Sequence, residues 1–285
     1  MKKLLYLSDL HTTHGLTKQP QGLRSAARAQ TMFQALRDGA AGDPQEIVVC
    51  ITGDLVDEYT DENVEFMRAE LERLRTAGFV VIVCAGNHDY YLPHNRTVQA
   101  GQAEQFWAKF ILPMLQQPGV TARTPAPVVN DYPLVLDVGP DLSFLVLDTD
   151  LGGQGRKTVG ELGSNQREQI AERLATIEPE RRLVVVMHHD PMDAVFPMRL
   201  LGDDRWALQK ALRSRPADLL LCGHTHNPEL RFGHQLEDWP VTVAANGGTS
   251  TGHENSPKDR SESPHWLFEF TNLANPRDLK LPWPE

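Results

Sequence analysis

The chain has 285 residues, 40% of them hydrophobic and 23% charged, enough for one large core or two modest domains. Its formal net charge of −10 argues against a groove that grips a DNA or RNA backbone, because such a groove needs a dense cationic surface. The three cysteines Cys50, Cys84 and Cys222 are odd in number and widely spaced, so they read as buried strand residues of a reducing compartment, neither a disulfide framework nor metal ligands.

The chain starts Met1-Lys2-Lys3 and then Leu4-Leu5-Tyr6-Leu7, like a secretory leader, but Ser8 and Asp9 end the apolar run too soon. No run is long enough to span a bilayer, and the expectation is a cytoplasmic protein with no membrane partner. In chain order, the strands expected are Lys3–Ser8, Ile47–Thr52, Val80–Cys84, Leu142–Leu147, Leu183–Met187, Asp218–Cys222, Val241–Ala245 and Trp266–Phe270. Several lack polar alternation, as strands buried on both faces do. The helices expected are Leu23–Arg37, Asp61–Thr76, Ala103–Leu115, Asn165–Ile177 and Asp204–Arg213. Asp61 and Ser164 are candidate N-caps, and Gly39 and Gly78 are candidate stops. Trp107 and Trp206 fall in helical patterns and read as packing residues.

Strands alternating with helices imply a layered α/β core, with functional groups gathered where loops leave strand C-terminal ends. We expect a single domain over residues 1–285. Tyr90–Pro133 has weaker periodicity and reads as an irregular wall of a cleft with one helix. Gly247–Pro264 reads as a loop, and 272–285 as a Pro-rich surface tail that could support a dimer.

Five short motifs follow five of the expected strands. Asp9-Leu10-His11 would point two ligating side chains the same way if the segment is extended. In Gly53-Asp54-Leu55-Val56-Asp57, glycine permits a tight turn and the Asp54 carboxylate has two oxygens with which to bridge two metals. Gly86-Asn87-His88-Asp89 offers a neutral amide oxygen and a titratable neighbour. His188-His189 would aim one ring at the site and the other away. Gly223-His224-Thr225-His226 pairs two imidazoles on a turn opened by glycine, the strongest ligand pattern of the five. Each alone competes with a plain solvated turn; their order and their shared place at strand ends make the set specific.

That order resembles the signature of the calcineurin-like metallophosphoesterases and runs from Asp9 to His226. The resemblance implies a layered α-β-β-α sandwich with two mixed sheets and a metal site at strand C-terminal ends. It implies one metal on Asp9, His11, Asp54 and His226, and a second on Asp54, Asn87, His188 and His224. It assigns His88 as general acid or transition-state stabiliser, and Asp57, by analogy with the protein-phosphatase branch, as the residue that orients it. The ions implied are two divalent or mixed-valence metals (Mn, Fe, Zn or Co). Asp9 and Asp54 bring two negative charges against four positive ones, so the loaded site stays cationic inside an acidic protein and attracts phosphate. The implied chemistry is in-line attack by a metal-bound hydroxide, with His88 protonating the leaving oxygen.

Departures from known branches narrow the choice. Glu58-Tyr59 after Asp57, and Ala85 before Gly86, replace the phosphate-gripping arginines of Ser/Thr protein phosphatases. The lipid A pathway hydrolases carry Arg where this chain has His88, the purple acid phosphatases add a tyrosine ligand, and the break-repair nucleases add a cap and a coiled coil. What remains is the compact bacterial phosphodiesterase group, which includes the class III cyclic-nucleotide phosphodiesterases and the glycerophosphodiesterases. The stretch Phe144–Asp148 before a helix with Gln166 and Leu174 is similar to that group, whereas Asp190 stands where many members have Pro. The expected partner is a small phosphodiester. The alternatives are a nuclease or phosphomonoesterase on the same site, or a non-catalytic protein-binding scaffold. Tyr90, Tyr91 and His94, the turn Asn246-Gly247-Gly248-Thr249, and His14 and His253 are further residues that could face a substrate.

Overall fold

The computed structural model describes residues 2–13, 20–91, 101–129, 131–154, 158–192, 200–236, 238–248 and 265–281. Two mixed sheets lie at its centre. The first joins β1 (Lys3–Leu7), β2 (Ile47–Thr52), β3 (Val80–Cys84), β11 (Trp266–Phe268) and β12 (Arg277–Asp278) in the order β12-β11-β1-β2-β3. The second joins β4 (Val120–Ala122), β5 (Leu134–Val138), β6 (Leu142–Val146), β7 (Arg182–Val186), β8 (Ala217–Cys222), β9 (Glu229–Phe232) and β10 (Val241–Asn246) in the order β4-β5-β6-β7-β8-β10-β9. Strands β1, β2 and β3 run parallel, as do β6, β7, β8 and β10, whereas β4, β5, β9, β11 and β12 pair antiparallel with their neighbours. This is the α/β sandwich of two mixed sheets flanked by helices that the motifs imply.

Alternation along β7 shows how the layers divide. Val184 and Val186 enter the core shared by both sheets and by α1 (Pro20–Arg37) and α2 (Asp61–Thr76). Leu183, Val185 and Met187 face the other way, into a second core with α5 (Gly163–Ala175) and α6 (Gly202–Ser214). All six residues of β2 are buried, which is why the sequence there shows an unbroken apolar run.

Helix α2 is bounded by recognisable chemistry. Thr60, not Asp61, is its N-cap, and its side chain accepts from the Asn63 N–H; Asp61 occupies the first turn, where its charge suits the helix dipole. Gly78 takes a left-handed φ of +104° just past the helix end. Ser164 likewise lies inside α5, whose N-cap position is Leu162.

The expected helix Ala103–Leu115 is present as α3 (Gln102–Phe106), a π-helical turn over Trp107–Ile111, and α4 (Leu112–Gln116). It buries Phe106, Phe110, Ile111 and Met114 in the main core. Beyond it, Gln117 lines the edge of β3: its side chain accepts from Val81 N (2.8 Å) and donates to Val81 O (2.6 Å), so an amide stands in for a missing strand. Strands β4, β5, β9 and β12 were not foreseen. Three of them are two to four residues long, below what periodicity can register. Trp107 is buried as expected, but Trp206 is 65% exposed on α6. Cys50, Cys84 and Cys222 are buried and unpaired, as expected. His14, His94, His253 and Thr249 lie outside the described residues. No helix among the described residues is long and apolar enough to cross a membrane.

Candidate metal centre

Every motif emerges from the C-terminal end of a parallel strand: Asp9 after β1, Asp54 after β2, Asn87 after β3, His188 after β7 and His224 after β8. The loops after β1 and β2 keep pairing beyond the sheet, with Asp9 N–H donating to Gly53 O (3.2 Å) and His11 N–H to Asp54 O (2.9 Å). Their backbone is not extended. Asp9, His11, Asp54, His224 and His226 have φ of +48°, +42°, +50°, +71° and +54°, five of the seven described non-glycine residues in that region. Each such residue costs about 1–3 kcal/mol, and strain of this kind gathers at functional sites. The left-handed backbone, rather than an extended strand, aims Asp9 and His11 together.

Two groups of ligand atoms that share Asp54 result, beside a third made of His11, Asp57 and His88. Asp9, His11, Asp54 and His226 each place one within 4.8 Å of the others, and so do Asp54, His188 and His224. Asn87 joins the second group, with its Oδ1 3.1 Å from His188 Nε2. Asp54 belongs to both: its Oδ2 is 3.4 Å from His11 Nε2 and 3.4 Å from His188 Nε2. Asp9 Oδ1 lies 3.4 Å from His226 Nε2. All seven residues assigned from sequence therefore lie together in one cluster around Asp54.

The donor set fits two metal ions. His188 Nδ1 donates to Thr52 O (2.8 Å), which leaves Nε2 as a lone pair facing Asp54 and Asn87. His11 Nδ1 faces the Asp57 carboxylate (3.3 Å), which leaves its Nε2 for the cluster. His224 Nε2 lies 3.2 Å from Thr158 O, so its other nitrogen is the one free to ligate. The Nε2 atoms of His11 and His226 sit 3.0 Å apart, and two neutral lone pairs hold that distance comfortably only with a proton or a cation between them. Oxygen and imidazole donors together suit first-row divalent ions.

Charge follows the same geometry. Burial opposes ionisation of Asp54, but His188, His88 and His11 outweigh it and hold the carboxyl well below its usual range. Burial would lower His88 and His188 as well; Asp54 instead raises them, to about 9 and about 10. His224, with burial and the charge of His188 both against it, falls to about 3.

His88 Nδ1 is 2.7 Å from Asp57 O and 3.4 Å from Asp57 Oδ1, and its side chain is 25% exposed. It borders the cluster without entering either ligand group that contains Asp54. His189 points away from the cluster: its Nδ1 is 2.8 Å from Thr149 Oγ1 and its ring packs 4.2 Å from that of His224.

Close approach explains two of the glycines. A Cβ on Gly223 would collide with Ser8 Oγ and Asp9 Oδ2, and one on Gly86 with the Asp54 carboxylate and its N–H. The turns bring ligand side chains against bare backbone.

Sequence reasoning missed the supports. Thr52 Oγ1 donates to Ser8 Oγ (2.7 Å), and Ser8 Oγ to Asp9 Oδ2. On the other side Thr225 Oγ1 donates to Asn246 Oδ1 (3.0 Å), Asn246 Nδ2 to Asp190 Oδ2 (3.0 Å), and Arg231 to the same oxygen (2.8 Å). The network locks the loop that carries His224 and His226, and it gives a role to the carboxylate at 190. A signal existed in Asp190 standing beside two histidines, but its partner Arg231 lies on a strand too short to foresee.

A sequence model of calcineurin-like phosphoesterases matches residues 2–228. The chain belongs to the calcineurin-like phosphoesterase family, and its His/Asp cluster fits that family's dinuclear metal centre. Among solved structures it is similar to a dimetal phosphatase from Danio rerio, with 14% identity, 88% of this chain and 89% of that one covered, and a TM-score of 0.56. It is also similar to a purple acid phosphatase from yellow lupin, with 17% identity and a TM-score of 0.54, covering 93% of this chain but 48% of the lupin one. The phosphopantetheinyl hydrolase of Mycobacterium tuberculosis shares 14% identity over 91% of this chain and 94% of its own, with a TM-score of 0.50. At these identities the likeness is one of fold. No curated protein matches the chain significantly.

Proposed function

We propose that the protein hydrolyses a small phosphodiester at a two-metal centre, in the manner of the compact bacterial phosphodiesterases that include the class III cyclic-nucleotide enzymes. The observation that carries this reading is the sharing of Asp54 between two converging ligand groups, with His88 at their exposed edge. Asp9, His11, Asp54 and His226 would hold one ion, and Asp54, Asn87, His188 and His224 the other. With ions bound there, the site would supply Lewis-acid polarisation of a phosphoryl oxygen and a water of lowered pKa.

The protein's own part lies with His88 and Asp57. The carbonyl and carboxylate of Asp57 accept from His88 Nδ1–H, which fixes the ring and leaves Nε2 as the nitrogen for proton transfer. In the metal-free protein Asp54 and Asp57 outweigh burial and favour the protonated ring. That proton goes to the leaving alkoxide oxygen. His188 and His11, held by Thr52 O and Asp57, keep their ligating nitrogens aimed inward without reorganisation.

A diester carries one negative charge where a monoester at neutral pH carries nearly two. The absence of the arginine that grips phosphate in protein phosphatases, with Ala85 in its place, favours the singly charged substrate. The test is hydrolysis of bis(p-nitrophenyl) phosphate against p-nitrophenyl phosphate by Mn-loaded protein. Preference for the diester supports the reading. Preference for the monoester replaces it with a phosphatase, and turnover of neither ester or of any natural diester replaces it with a scaffold.

A further inference from the structure

Beside the two ligand groups that share Asp54 stands the third, His11, Asp57 and His88, in which one ligand atom of each residue lies within 4.8 Å of the others. Backbone pairing builds it. The loops after β1 and β2 stay joined by a bridge between Thr12 and Val56 and by Asp57 N–H, which donates to Thr12 O (3.2 Å), so Asp57 is set beside His11. The turn after β3 is pinned by His88 N–H, which donates to Asp54 Oδ1 (2.9 Å). It brings the His88 ring 4.7 Å from that of His11, centroid to centroid, at 88°.

Distances inside the group suit an ion better than a shared proton. Asp57 Oδ1 is 3.3 Å from His11 Nδ1 and 3.4 Å from His88 Nδ1. A charge-assisted N–H···O bond spans about 2.7–2.9 Å, so both are long for one. Donor atoms held at about 2.0–2.1 Å by a tetrahedral zinc ion stand roughly 3.3–3.4 Å apart, which is the spacing found. Two imidazoles and a carboxylate are donors that suit zinc and not magnesium. Access differs from that of the buried centre. The side chains of His88 and Asp57 are 25% and 39% exposed, against 0% and 1% for His188 and Asp54, so this group is open to an ion from solvent. His11 links the two regions: its Nε2 is 3.4 Å from Asp54 Oδ2 while its Nδ1 faces Asp57.

We propose that His11, Asp57 and His88 form a third, weaker metal site, selective for zinc, whose occupation blocks proton donation by His88. Zinc there bonds to Nδ1 of both rings and to Asp57 Oδ1; the two Nδ1–H bonds break and their protons pass to the buffer. His11, with its Nε2 committed to the buried centre, then bridges as an imidazolate, and that negative charge offsets part of the repulsion between ions. His88 with zinc on Nδ1 can release an Nε2 proton only by becoming an imidazolate as well, a far weaker acid than an imidazolium. The effect on turnover rests on the reading of His88 as proton donor in a phosphodiesterase; the binding does not.

The first measurement titrates the two-zinc protein with further zinc, by calorimetry and equilibrium dialysis, in the unaltered chain and in His88→Ala. The unaltered protein is expected to take a third equivalent, at least about tenfold more weakly than either of the first two, because the incoming ion meets their charge in a solvated place. His88→Ala should weaken that third equivalent by at least about tenfold again or lose it. A third equivalent held equally by the variant, or none in the unaltered protein, overturns the proposal. In the unaltered protein the third ion should also move the Nδ1 ¹⁵N signals of two histidines, which magnesium should leave in place; a third zinc that moves neither overturns the site however the variant folds. The second measurement follows turnover of a diester with an alkoxide leaving group, 3′,5′-cyclic AMP or a glycerophosphodiester, by the two-zinc enzyme. Slowing by at least about tenfold, half complete where the third equivalent is half bound, supports the block. Unchanged turnover with the third ion bound overturns it. If neither diester turns over while zinc still binds through His88, the phosphodiesterase reading fails and the third metal site stands on its own.

Discussion

Asp57 Oδ1 lies 3.4 Å from His88 Nδ1, and the same oxygen is 3.3 Å from Nδ1 of His11. One carboxylate thus braces the proposed proton donor and a proposed metal ligand together. Its own carboxyl, which burial alone would raise, is pulled far down by these two rings. Asp57→Asn should therefore damage two functions at once. A fall of about 10–100-fold in turnover is expected, together with weaker binding of the ion at His11. Metal content by mass spectrometry alongside kcat checks it; loss of turnover with full, equally tight metal would confine Asp57 to His88.

His88→Ala should leave metal content intact and lower turnover by roughly 10²–10⁴ for diesters with alkyl leaving groups. The loss should shrink for p-nitrophenyl esters, whose leaving oxygen scarcely needs a proton. A series of leaving groups gives a Brønsted slope, and an unchanged slope in the variant would remove His88 from that step.

In the metal-free protein, burial lowers His88 and His188 less than Asp54 raises them, to about 9 and about 10. An unfolded histidine titrates near 6.5. Folded values above the unfolded one mean stability that is complete below about pH 6.5 and lost as pH rises through about 9 to 10. Melting of chelated protein should accordingly fall across that window. Metal binding at pH 7 should also expel protons, because a ligating imidazole must surrender its own. Calorimetry in two buffers of different ionisation enthalpy reads that release, and identical heats would contradict it.

Gly223→Ala places a methyl against Ser8 Oγ and Asp9 Oδ2. The fold should survive with a loss of about 1–3 kcal/mol, since overpacking is costly but local. Binding at the Asp9 ion should suffer more than binding at its neighbour. Stepwise metal titration resolves the two.

How much of this was legible in the sequence follows from range. The ligands were readable because each closes an apolar strand and pairs with a glycine or a second ligand within two or three residues. Strands such as Ile47–Thr52, buried on both faces, announced themselves by composition. What escaped depends on partners far apart in the chain. Gln117 covers β3 through Val81, 36 positions away, and Asn246 reaches Asp190 across 56. The left-handed backbone at Asp9 and His11 escaped for another reason: Asp-Leu-His has no glycine to mark it, and the surrounding pairs to Gly53 and Asp54 impose it.

The ligand groups draw on both sheets, with Asp9, His11, Asp54 and Asn87 leaving one, and His188, His224 and His226 the other. His11 and His226 meet although 215 positions separate them. An ion between such residues is a reversible cross-link that closes most of the chain into a loop, and the entropy it removes from the unfolded chain grows with loop length. The two sheets are thereby stitched at one seam, and a chelator is the reagent that cuts the stitch. Amides of β7 and β8 next to that seam should lose hydrogen-exchange protection first when the ions are withdrawn, ahead of those in α2 on the far side of the sandwich.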